Sequence, residues 1–292
     1  MKTLLTTCLV FLAFSVTARD FRDLTNESGA TIHAEIIDFE GGMLKIRTNG
    51  KNFDVPVASL SGADQAWITE WDAKRRGAED ELYYSETIFE DDFSGEGFGE
   101  RWGHYKSSSL IEDGVMIGKT IDINDHAGCD SIRFEGRQDM EVSVRFKFAS
   151  PEALRFNVWF DDKDYDGAHA GHITSVSIDP KGGTIADAKT GNMANAIYEM
   201  KKSPEGLDEE TKELLATKTK RFEADIEEGE WHELVVRTKG PLVTVLIDDE
   251  EVGEFESEGN AHLTKSLVSL TTNVNDVHYD DFFVKAAPAG AE

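Results

Sequence analysis

The stretch Met140-Glu141-Val142-Ser143-Val144-Arg145-Phe146-Lys147-Phe148 alternates apolar and polar side chains without interruption. A period of two places the apolar side chains on one face of a β-strand and the polar ones on the other. The same kind of pattern recurs at 154–160, 231–238, 242–247, 267–271 and 277–284. Short strands at this density, separated by turn residues, predict a two-sheet sandwich over residues 88–286.

One segment interrupts the strand pattern. Residues 194–217 are predicted to be helical, because Leu207, Leu214 and Leu215 recur at helical spacing and the acidic run 208–210 suits a helix N-terminus. The sandwich is therefore expected to carry one helical insertion.

The N-terminal region predicts a separate, smaller domain. Strand patterns at 31–39 and 43–48 lead to Asn49-Gly50, a dipeptide typical of two-residue hairpin turns. Ser61 can cap a following helix over residues 62–76. We predict a small β-barrel closed by this helix, within residues 19–77.

Trp67 and Trp71 fall on one face of that predicted helix. Two interpretations remain open for them. They either pack between the helix and the barrel, or form an exposed aromatic pair that docks a peptide or protein.

Charge limits the classes of partner. The chain of 292 residues has 57 acidic and 30 basic residues and a formal net charge of −27. Phosphate backbones and anionic lipid headgroups would be repelled, which argues against nucleic-acid binding and against docking on a membrane. Residues 78–292 contain 47 acidic and 21 basic residues, whereas 19–77 are nearly balanced. The change falls in a polar segment, and we predict a linker over 78–87 and a short tail over 287–292.

The first eighteen residues have the features of a signal peptide. Lys2 precedes an apolar run over 4–16, and Val16-Thr17-Ala18 supplies small residues for cleavage. The mature protein is thus expected to be exported to the periplasm or the cell exterior. Cys8 would leave with this peptide, so Cys129 would have no intramolecular disulfide partner.

The N-terminal domain resembles the SHD domain, the first homology region of the Sla endocytic adaptor. The matching segments are Arg22-Asp23-Leu24-Thr25, Ala34-Glu35-Ile36, Gly42-Met43-Leu44-Lys45-Ile46-Arg47, Gly50-Lys51-Asn52-Phe53-Asp54-Val55-Pro56-Val57, Leu60-Ser61 and Asp64-Gln65-Ala66-Trp67-Ile68. The resemblance implies an SH3-like fold that binds a short peptide motif.

The C-terminal domain is similar to concanavalin A-like (LamG-like) jelly rolls, in particular to the 3-keto-disaccharide hydrolase-like family, which is related in fold to glycoside hydrolase family 16. The matching segments are Phe89-Glu90-Asp91-Asp92-Phe93, Arg101-Trp102-Gly103, His169-Ala170-Gly171-His172-Ile173, Ile185-Ala186-Asp187, Lys220-Arg221-Phe222, Gly229-Glu230-Trp231-His232-Glu233-Leu234, Ile247-Asp248-Asp249, Ala261-His262-Leu263-Thr264-Lys265 and 277–284. The resemblance implies a jelly roll and a glycan or sugar derivative as the partner.

One group of candidate catalytic residues consists of His169, His172 and Asp161. A 3-keto group acidifies the neighbouring C–H, so a hydrolase or lyase for such sugars needs a base, an acid and a group that stabilises the oxyanion. Histidine suits both proton roles near neutral pH. The alternative is that these side chains only close loops through hydrogen bonds.

Sugar binding requires an aromatic ring for the pyranose face and polar partners for the hydroxyls. The candidates for this role are Trp159, Tyr165, Trp102, His262 and Lys265. Strand alternation places Trp159 opposite Val158, on the outer face of the sheet. For Trp102, packing inside the sandwich is the alternative.

A metal site is suggested by Asp162, Asp164 and Asp166, which precede Gly167 in the pattern of a calcium-binding loop. The acidic ligand expected at the twelfth position is missing, since Ile173 stands there. We therefore predict either a calcium site completed from elsewhere or an acidic surface loop.

A second acidic group superficially matches the family 16 glycosidase signature. On a continuous strand, Glu223, Asp225 and Glu227 would share one face, as a retaining mechanism requires of its carboxylates. The alternative is an exposed strand whose acids lie in water.

These observations leave three functional hypotheses. The leading hypothesis is glycan recognition by the sandwich, with peptide or protein docking by the barrel. The second is a glycoside or 3-keto-disaccharide hydrolase, which converging histidines or carboxylates beside an aromatic ring would favour. The third is a structural interaction protein, which a helical insertion covering the sheet face would favour.

Overall fold

The computed structural model describes residues 20–153, 155–272 and 276–288. The chain divides into two compact units, with the boundary between Asp80 and Glu81. The predicted signal peptide 1–18 and most of the predicted tail 287–292 lie outside the described residues. Within the described part, no helix is both long and apolar enough to cross a membrane.

The first unit is a four-stranded antiparallel sheet with a helix. Its elements are β1 (Asp20–Thr25), β2 (Thr31–Glu40), β3 (Met43–Thr48), β4 (Lys51–Pro56) and α1 (Gly62–Tyr83). The strands pair in sequence order. Asn49 and Gly50 both have positive φ, of 49° and 74°, as the predicted hairpin turn requires. The core contains Leu24, Leu44 and Ile68, with Trp67 and Trp71 packed partly buried against it.

Helix α1 is longer than predicted. It was expected to end at Arg76 but continues to Tyr83. Ion pairs one turn apart stabilise the extension, since Arg75 Nη1 lies 3.0 Å from Glu79 Oε1 and no proline stops the helix. The predicted linker 78–87 therefore consists largely of the end of α1 and the start of the next strand.

The second unit is a sandwich of two antiparallel sheets, so the prediction of a mainly β jelly roll is confirmed. Its described strands are β5 (Glu86–Asp91), β6 (Trp102–Tyr105), β7 (Leu110–Glu112), β8 (Val115–Gly118), β9 (Gly128–Arg137), β10 (Met140–Phe148), β11 (Phe156–Asp161), β12 (His172–Asp179), β13 (Gly182–Asp187), β14 (Thr219–Glu223), β15 (His232–Lys239), β16 (Leu242–Ile247), β17 (Glu250–Glu256), β18 (Lys265–Thr272) and β19 (Val277–Ala286).

The order of strands identifies the two layers. The eight-stranded sheet has the order β17-β16-β15-β10-β19-β8-β7, and its eighth strand, β5, pairs with β19. The seven-stranded sheet has the order β14-β13-β12-β11-β18-β9-β6. The apolar side chains of β10 face those of β11 and β18 in one large core, which includes Phe146, Phe156, Phe160, Val268 and Tyr279. Burial of this continuous apolar face is the main driving force for the fold.

The predicted helical insertion is present as two short helices, α2 (Asn195–Lys202) and α3 (Glu209–Thr217). Pro204 and Gly206 lie between them and break the helix. Asp208 caps α3, because its carboxylate accepts a hydrogen bond of 2.8 Å from the Thr211 backbone N–H.

Candidate functional site

Strand β11 lies at the centre of the seven-stranded sheet and presents its alternate side chains to opposite faces. Phe156, Val158 and Phe160 are fully buried in the core. Trp159 therefore lies on the outer face, as the alternation predicted, and is only partly buried. Its direct neighbours across the sheet are the small residues Ser175 on β12 and Ser269 on β18.

An irregularity at the end of β11 brings a histidine to this face. The β11–β12 register shifts after Phe160, so that Asp161 pairs with His172 and Ile173 is passed over. Such a bulge re-aims the side chains beside it. His172 Nδ1 lies 2.8 Å from Asp161 Oδ1, and the His172 ring lies 4.3 Å from the Trp159 ring between centroids. The structure thus joins Asp161 and His172, two of the predicted catalytic residues.

The turn before His172 depends on one glycine. Ala170 and Gly171 both have positive φ. A Cβ on Gly171 would lie 2.0 Å from the Asp162 carbonyl oxygen, so a larger residue cannot be accommodated there. The Asp162 N–H donates a 2.8 Å hydrogen bond to the Gly171 carbonyl, which holds the turn against the end of β11.

His169, the third predicted catalytic residue, is near this pair but has a different partner. Its ring stacks on Tyr198 of α2 with centroids 3.7 Å apart, and it lies 6.3 Å from the His172 ring. Burial, followed by the neighbouring His172, lowers the pKa of His169. The His169 backbone N–H also donates to the Met193 carbonyl.

The insertion is anchored at the segment before β12, and part of the sheet face stays exposed. Helix α2 is held to the segment before β12, where Ala168 pairs with Ala194 and the Asn195 N–H donates to the Gly167 carbonyl. On the outer face of the sheet, Trp159 and Ser177 stay partly exposed. This arrangement does not favour the purely structural hypothesis.

A second histidine–aspartate pair lies next to the first along the chain. Asp162 Oδ2 accepts hydrogen bonds from His262 Nε2 at 2.8 Å and from Thr264 Oγ1 at 2.7 Å. Burial alone would raise the pKa of Asp162, but these hydrogen bonds outweigh it and lower the pKa. Burial also lowers the pKa of His262, whose ring lies 4.9 Å from Tyr165. This pair anchors the segment after β11.

The three aspartates of the predicted calcium site do not point to a common centre. The Asp162 carboxylate is occupied by His262 and Thr264, and Asp164 extends into solvent, 3.8 Å from Arg133. Among the described residues, no group of three or more His, Cys, Asp or Glu side chains could hold a metal ion. Asp164 and Asp166 are exposed, whereas Asp162 is buried in its pair with His262.

Two predicted sugar-binding residues are inaccessible. Lys265 is completely buried, and its Nζ donates to the backbone carbonyls of Gln138 at 2.5 Å and His262 at 3.2 Å. Trp102 belongs to the core, where it packs on Phe89 and its indole N–H donates to Asp91 at 2.7 Å. The prediction of glycan contact was wrong for both side chains, because their own strands direct them into the protein.

The three acids that match the glycosidase signature, Glu223, Asp225 and Glu227, do not share one strand face. Strand β14 ends at Glu223, so Asp225 and Glu227 lie in an irregular segment and not on a shared strand face. Phe222 and Ile226 are buried in the core, and the three acids are exposed.

Sequence reasoning missed two residues that contact the site. Tyr198 supports His169, and Lys163 Nζ lies 3.5 Å from Asp161 Oδ2 while donating to the Ala170 carbonyl. Lys163 could have been noted as a basic residue beside Asp161. No sequence pattern connects Tyr198 with His169, because they meet only through the insertion.

Comparisons with known proteins found structural neighbours and one matching family. No curated protein sequence matches the chain. A sialidase structure is similar with a TM-score of 0.49 and 10% identity over 84% of this chain, which spans 21%, about a fifth, of the sialidase. The carbohydrate binding module CBM66 from Bacillus subtilis has a TM-score of 0.42 and 9% identity, over 64% of this chain and 96% of the module. A non-specific endo-β-1,3(4)-glucanase from family GH16 has a TM-score of 0.47 and 12% identity, over 69% and 91%.

Structural similarities with TM-scores below 0.5 and identities of 9–12% do not assign a function. The sequence profile of the 3-keto-alpha-glucoside-1,2-lyase-like domain matches residues 85–285, which covers nearly the whole sandwich and confirms the resemblance stated for it. By this match, the chain belongs to the 3-keto-alpha-glucoside-1,2-lyase-like family.

Proposed function

We propose that the outer face of the seven-stranded sheet binds a 3-keto-α-glucoside and that His172 removes the proton next to its keto group. The observation that carries this proposal is the His172–Asp161 pair beside the Trp159 ring. Convergence of a histidine and a carboxylate next to an aromatic ring favours an enzyme over a simple binding module.

The hydrogen bond supports a role for each of the two side chains. Asp161 is almost fully buried and accepts from His172 Nδ1, which leaves Nε2 as the proton acceptor. A buried carboxylate in this position also stabilises the imidazolium that forms when Nε2 takes a proton. Trp159 provides the apolar surface for the sugar ring.

The reaction is an elimination. His172 takes the proton from C2, which the C3 ketone acidifies, and the electron pair forms a double bond between C1 and C2. The bond between C1 and the glycosidic oxygen breaks, and that oxygen leaves with a proton. His169 is the proposed donor of this proton, since its ring lies 6.3 Å from that of His172.

The test is turnover of methyl 3-keto-α-glucoside by the full mature chain and by His172→Asn. We expect the variant to lose about a thousandfold in kcat/KM, as is typical for removal of a general base. The matched control is His232→Asn, which breaks a similar pair, His232 Nδ1 to Asp248 Oδ2 at 2.7 Å, in the eight-stranded sheet. Unchanged activity in His172→Asn would refute the assignment.

The second candidate function is glycan binding without turnover. It is supported by Trp159 on a face of small polar side chains, an arrangement that suits a sugar ring and its hydroxyls. Binding of the sugar without release of methanol would favour this candidate. Absence of both binding and turnover would contradict both.

We further propose that the first unit is an SH3-like barrel of the SHD type that docks a peptide at Trp67 and Trp71. The two rings stack with centroids 6.2 Å apart, and the guanidinium groups of Arg22 and Arg75 lie over them. Selection of a peptide library on the full mature chain tests this, with Trp67→Ala expected to abolish the selected binding. Peptides that bind Trp67→Ala equally well would contradict it.

Export is likewise a proposal, and it is supported by the sequence features of residues 1–18. N-terminal sequencing of the protein recovered outside the cytoplasm should begin at Arg19. Recovery of the uncleaved chain from the cytoplasm would contradict export.

A further inference from the structure

We infer that Lys163 is a positioning residue for the proposed base: its ammonium group balances the charge of the buried Asp161 and fixes the turn that leads to His172. This inference rests on the proposed function and adds the residue that sets the pH range in which His172 can accept a proton. Two contacts of one side chain, together with the burial and the charge of its partner, carry it.

Lys163 lies on the same side of the chain as Asp161. It follows Asp161 by two positions, and the alternation of side chains continues although β11 ends at Asp161. Asp162, between them, is directed to His262 instead. The Lys163 backbone N–H donates a 3.1 Å hydrogen bond to Ser266 Oγ, which holds this segment beside β18. Lys163 Nζ is thereby placed 3.5 Å from Asp161 Oδ2.

The two carboxylate oxygens of Asp161 have different partners. Oδ1 lies 2.8 Å from His172 Nδ1, and Oδ2 lies 3.5 Å from Lys163 Nζ. The Asp161 side chain is only 3% exposed, so water screens its charge weakly. A buried carboxylate requires a compensating partner. The ammonium group of Lys163 supplies positive charge to Asp161 without a proton on the imidazole.

This charge balance determines when His172 is free to act as a base. A general base must be unprotonated before it can remove a proton from the substrate. Beside a buried carboxylate alone, an imidazole keeps its proton to higher pH, because the negative charge stabilises the imidazolium. The Lys163 ammonium group opposes this effect. The neutral imidazole is therefore available at lower pH than it would be without Lys163.

The same ammonium group holds the turn before β12. Lys163 Nζ donates a 3.0 Å hydrogen bond to the carbonyl of Ala170, which has a φ of 56°. Positive φ is costly for a residue with a Cβ and persists where the surroundings hold it. His172 follows this turn by two residues. Lys163 thus links the end of β11 to the start of β12 where the register shifts.

Other titratable groups lie near His172, on the turn and on α2. The His169 ring lies 6.3 Å from the His172 ring. On α2, Lys202 Nζ lies 2.9 Å from Glu199 Oε1 in an exposed pair, which water screens. After burial and His172 itself, Lys202 and His126 lower the pKa of His169, whereas Glu199 raises it. The charges of these outer groups therefore partly cancel.

The experiment measures kcat/KM for methyl 3-keto-α-glucoside as a function of pH in the full mature chain and in Lys163→Met. The low-pH limb of this profile reports protonation of the base in the free enzyme. Its midpoint is expected to rise by about one pH unit in Lys163→Met, because a charge within about 4–6 Å shifts a titration by this order. Lys163→Arg, which keeps the positive charge, should restore the wild-type midpoint.

A matched control is available in the eight-stranded sheet. Lys285 Nζ lies 3.5 Å from Glu141 Oε1, the same distance as in the Lys163–Asp161 pair. The two lysines are 34% and 31% exposed, and both carboxylates are buried. Lys285→Met should leave the midpoint at the wild-type value. An equal shift in Lys285→Met would show a general effect of lost charge and overturn the role of Lys163.

A second measurement does not depend on turnover. NMR titration of the His172 imidazole, assigned by the loss of its signals in His172→Asn, follows the same proton. Its midpoint should rise in Lys163→Met and stay unchanged in Lys285→Met. If Lys163→Met does not fold, Lys163→Gln decides, because an amide can still donate to the Ala170 carbonyl but carries no charge.

The outcomes separate this inference from the proposed function. An unchanged midpoint after loss of the Lys163 charge would overturn the inference. So would a lower plateau of kcat/KM with an unchanged low-pH limb, since that is the result of a purely structural contact. Absence of turnover in the wild type, together with the expected NMR shift, would refute the proposed function and leave the charge balance between Lys163, Asp161 and His172 standing.

Discussion

His172 Nδ1 lies 2.8 Å from Asp161 Oδ1, although the two residues are eleven positions apart and belong to neighbouring strands. A regular β11–β12 register would place Ile173 beside Asp161. The bulge after Phe160 replaces that apolar side chain by an imidazole and brings it next to Trp159. The candidate site therefore depends on a local irregularity in an otherwise regular sheet.

Asp161→Asn should lower kcat/KM on methyl 3-keto-α-glucoside by about a hundredfold or more, because an amide neither fixes the useful tautomer nor stabilises the imidazolium. Steady-state kinetics provides the measurement. Asp248→Asn is the control, since Asp248 accepts from His232 in the same way on the other sheet. Equal effects of the two substitutions would indicate a purely structural role for Asp161.

The two tryptophans of the sandwich should respond in opposite ways. Trp102→Ala removes a core side chain and is expected to cost about 3–5 kcal/mol in the free energy of unfolding. Trp159→Ala should have a much smaller effect on stability but weaken sugar binding about tenfold or more. Urea unfolding and kcat/KM of both variants give the comparison, and a stability loss confined to Trp159→Ala would contradict it.

Lys265 should make stability depend on alkaline pH. Burial lowers its pKa to about 8, whereas the unfolded chain titrates near the ordinary lysine value of about 10.4. Between these values the unfolded chain binds more protons, so the free energy of unfolding contributed by Lys265 rises with pH. Below about pH 8 both states are protonated and the contribution is constant.

Urea unfolding of the wild type and Lys265→Met at several pH values between 6 and about 10 measures this effect. The difference in the free energy of unfolding between the two proteins should be flat up to about pH 8 and then change in favour of the wild type. Parallel pH profiles across the whole range would show that the buried ammonium keeps its ordinary pKa.

Cys129 on β9 should react slowly. Burial raises the pKa of its thiol, and hydrogen bonds with Ser269 and Thr271 only partly offset this. Alkylation by iodoacetamide at neutral pH is expected to be about tenfold or more slower than for free cysteine, because the thiolate is the reactive form. Mass spectrometry with and without urea follows the reaction, and equal rates in both conditions would contradict the burial of this thiol.

Several features of the fold were predictable because they depend on neighbouring residues only. The alternation in 140–148 required a strand with one buried face, and the same parity placed Trp159 outside the core. The Asn49-Gly50 turn and the Ser61 cap of α1 follow from local backbone chemistry, and the Asp64 N–H indeed donates to Ser61 Oγ.

Other predictions failed where a distant residue decides the environment. The ammonium group of Lys265 was expected near a sugar, but it meets the Gln138 carbonyl from a segment 127 positions away. The acids of 162–166 have calcium-like spacing, yet the Asp162 carboxylate accepts hydrogen bonds from His262 and Thr264. Sequence spacing does not show which partners the folded chain supplies.

The sequence by itself determined the sandwich and the outward orientation of Trp159, because side-chain parity and apolar patterning act over a few residues. The tertiary structure decided that Asp161 pairs with His172, that Asp162 pairs with His262, and that Ser269 lies beside Trp159. These relationships arise from strand order and from one shift of register, and both are set by how distant segments pack into a common core.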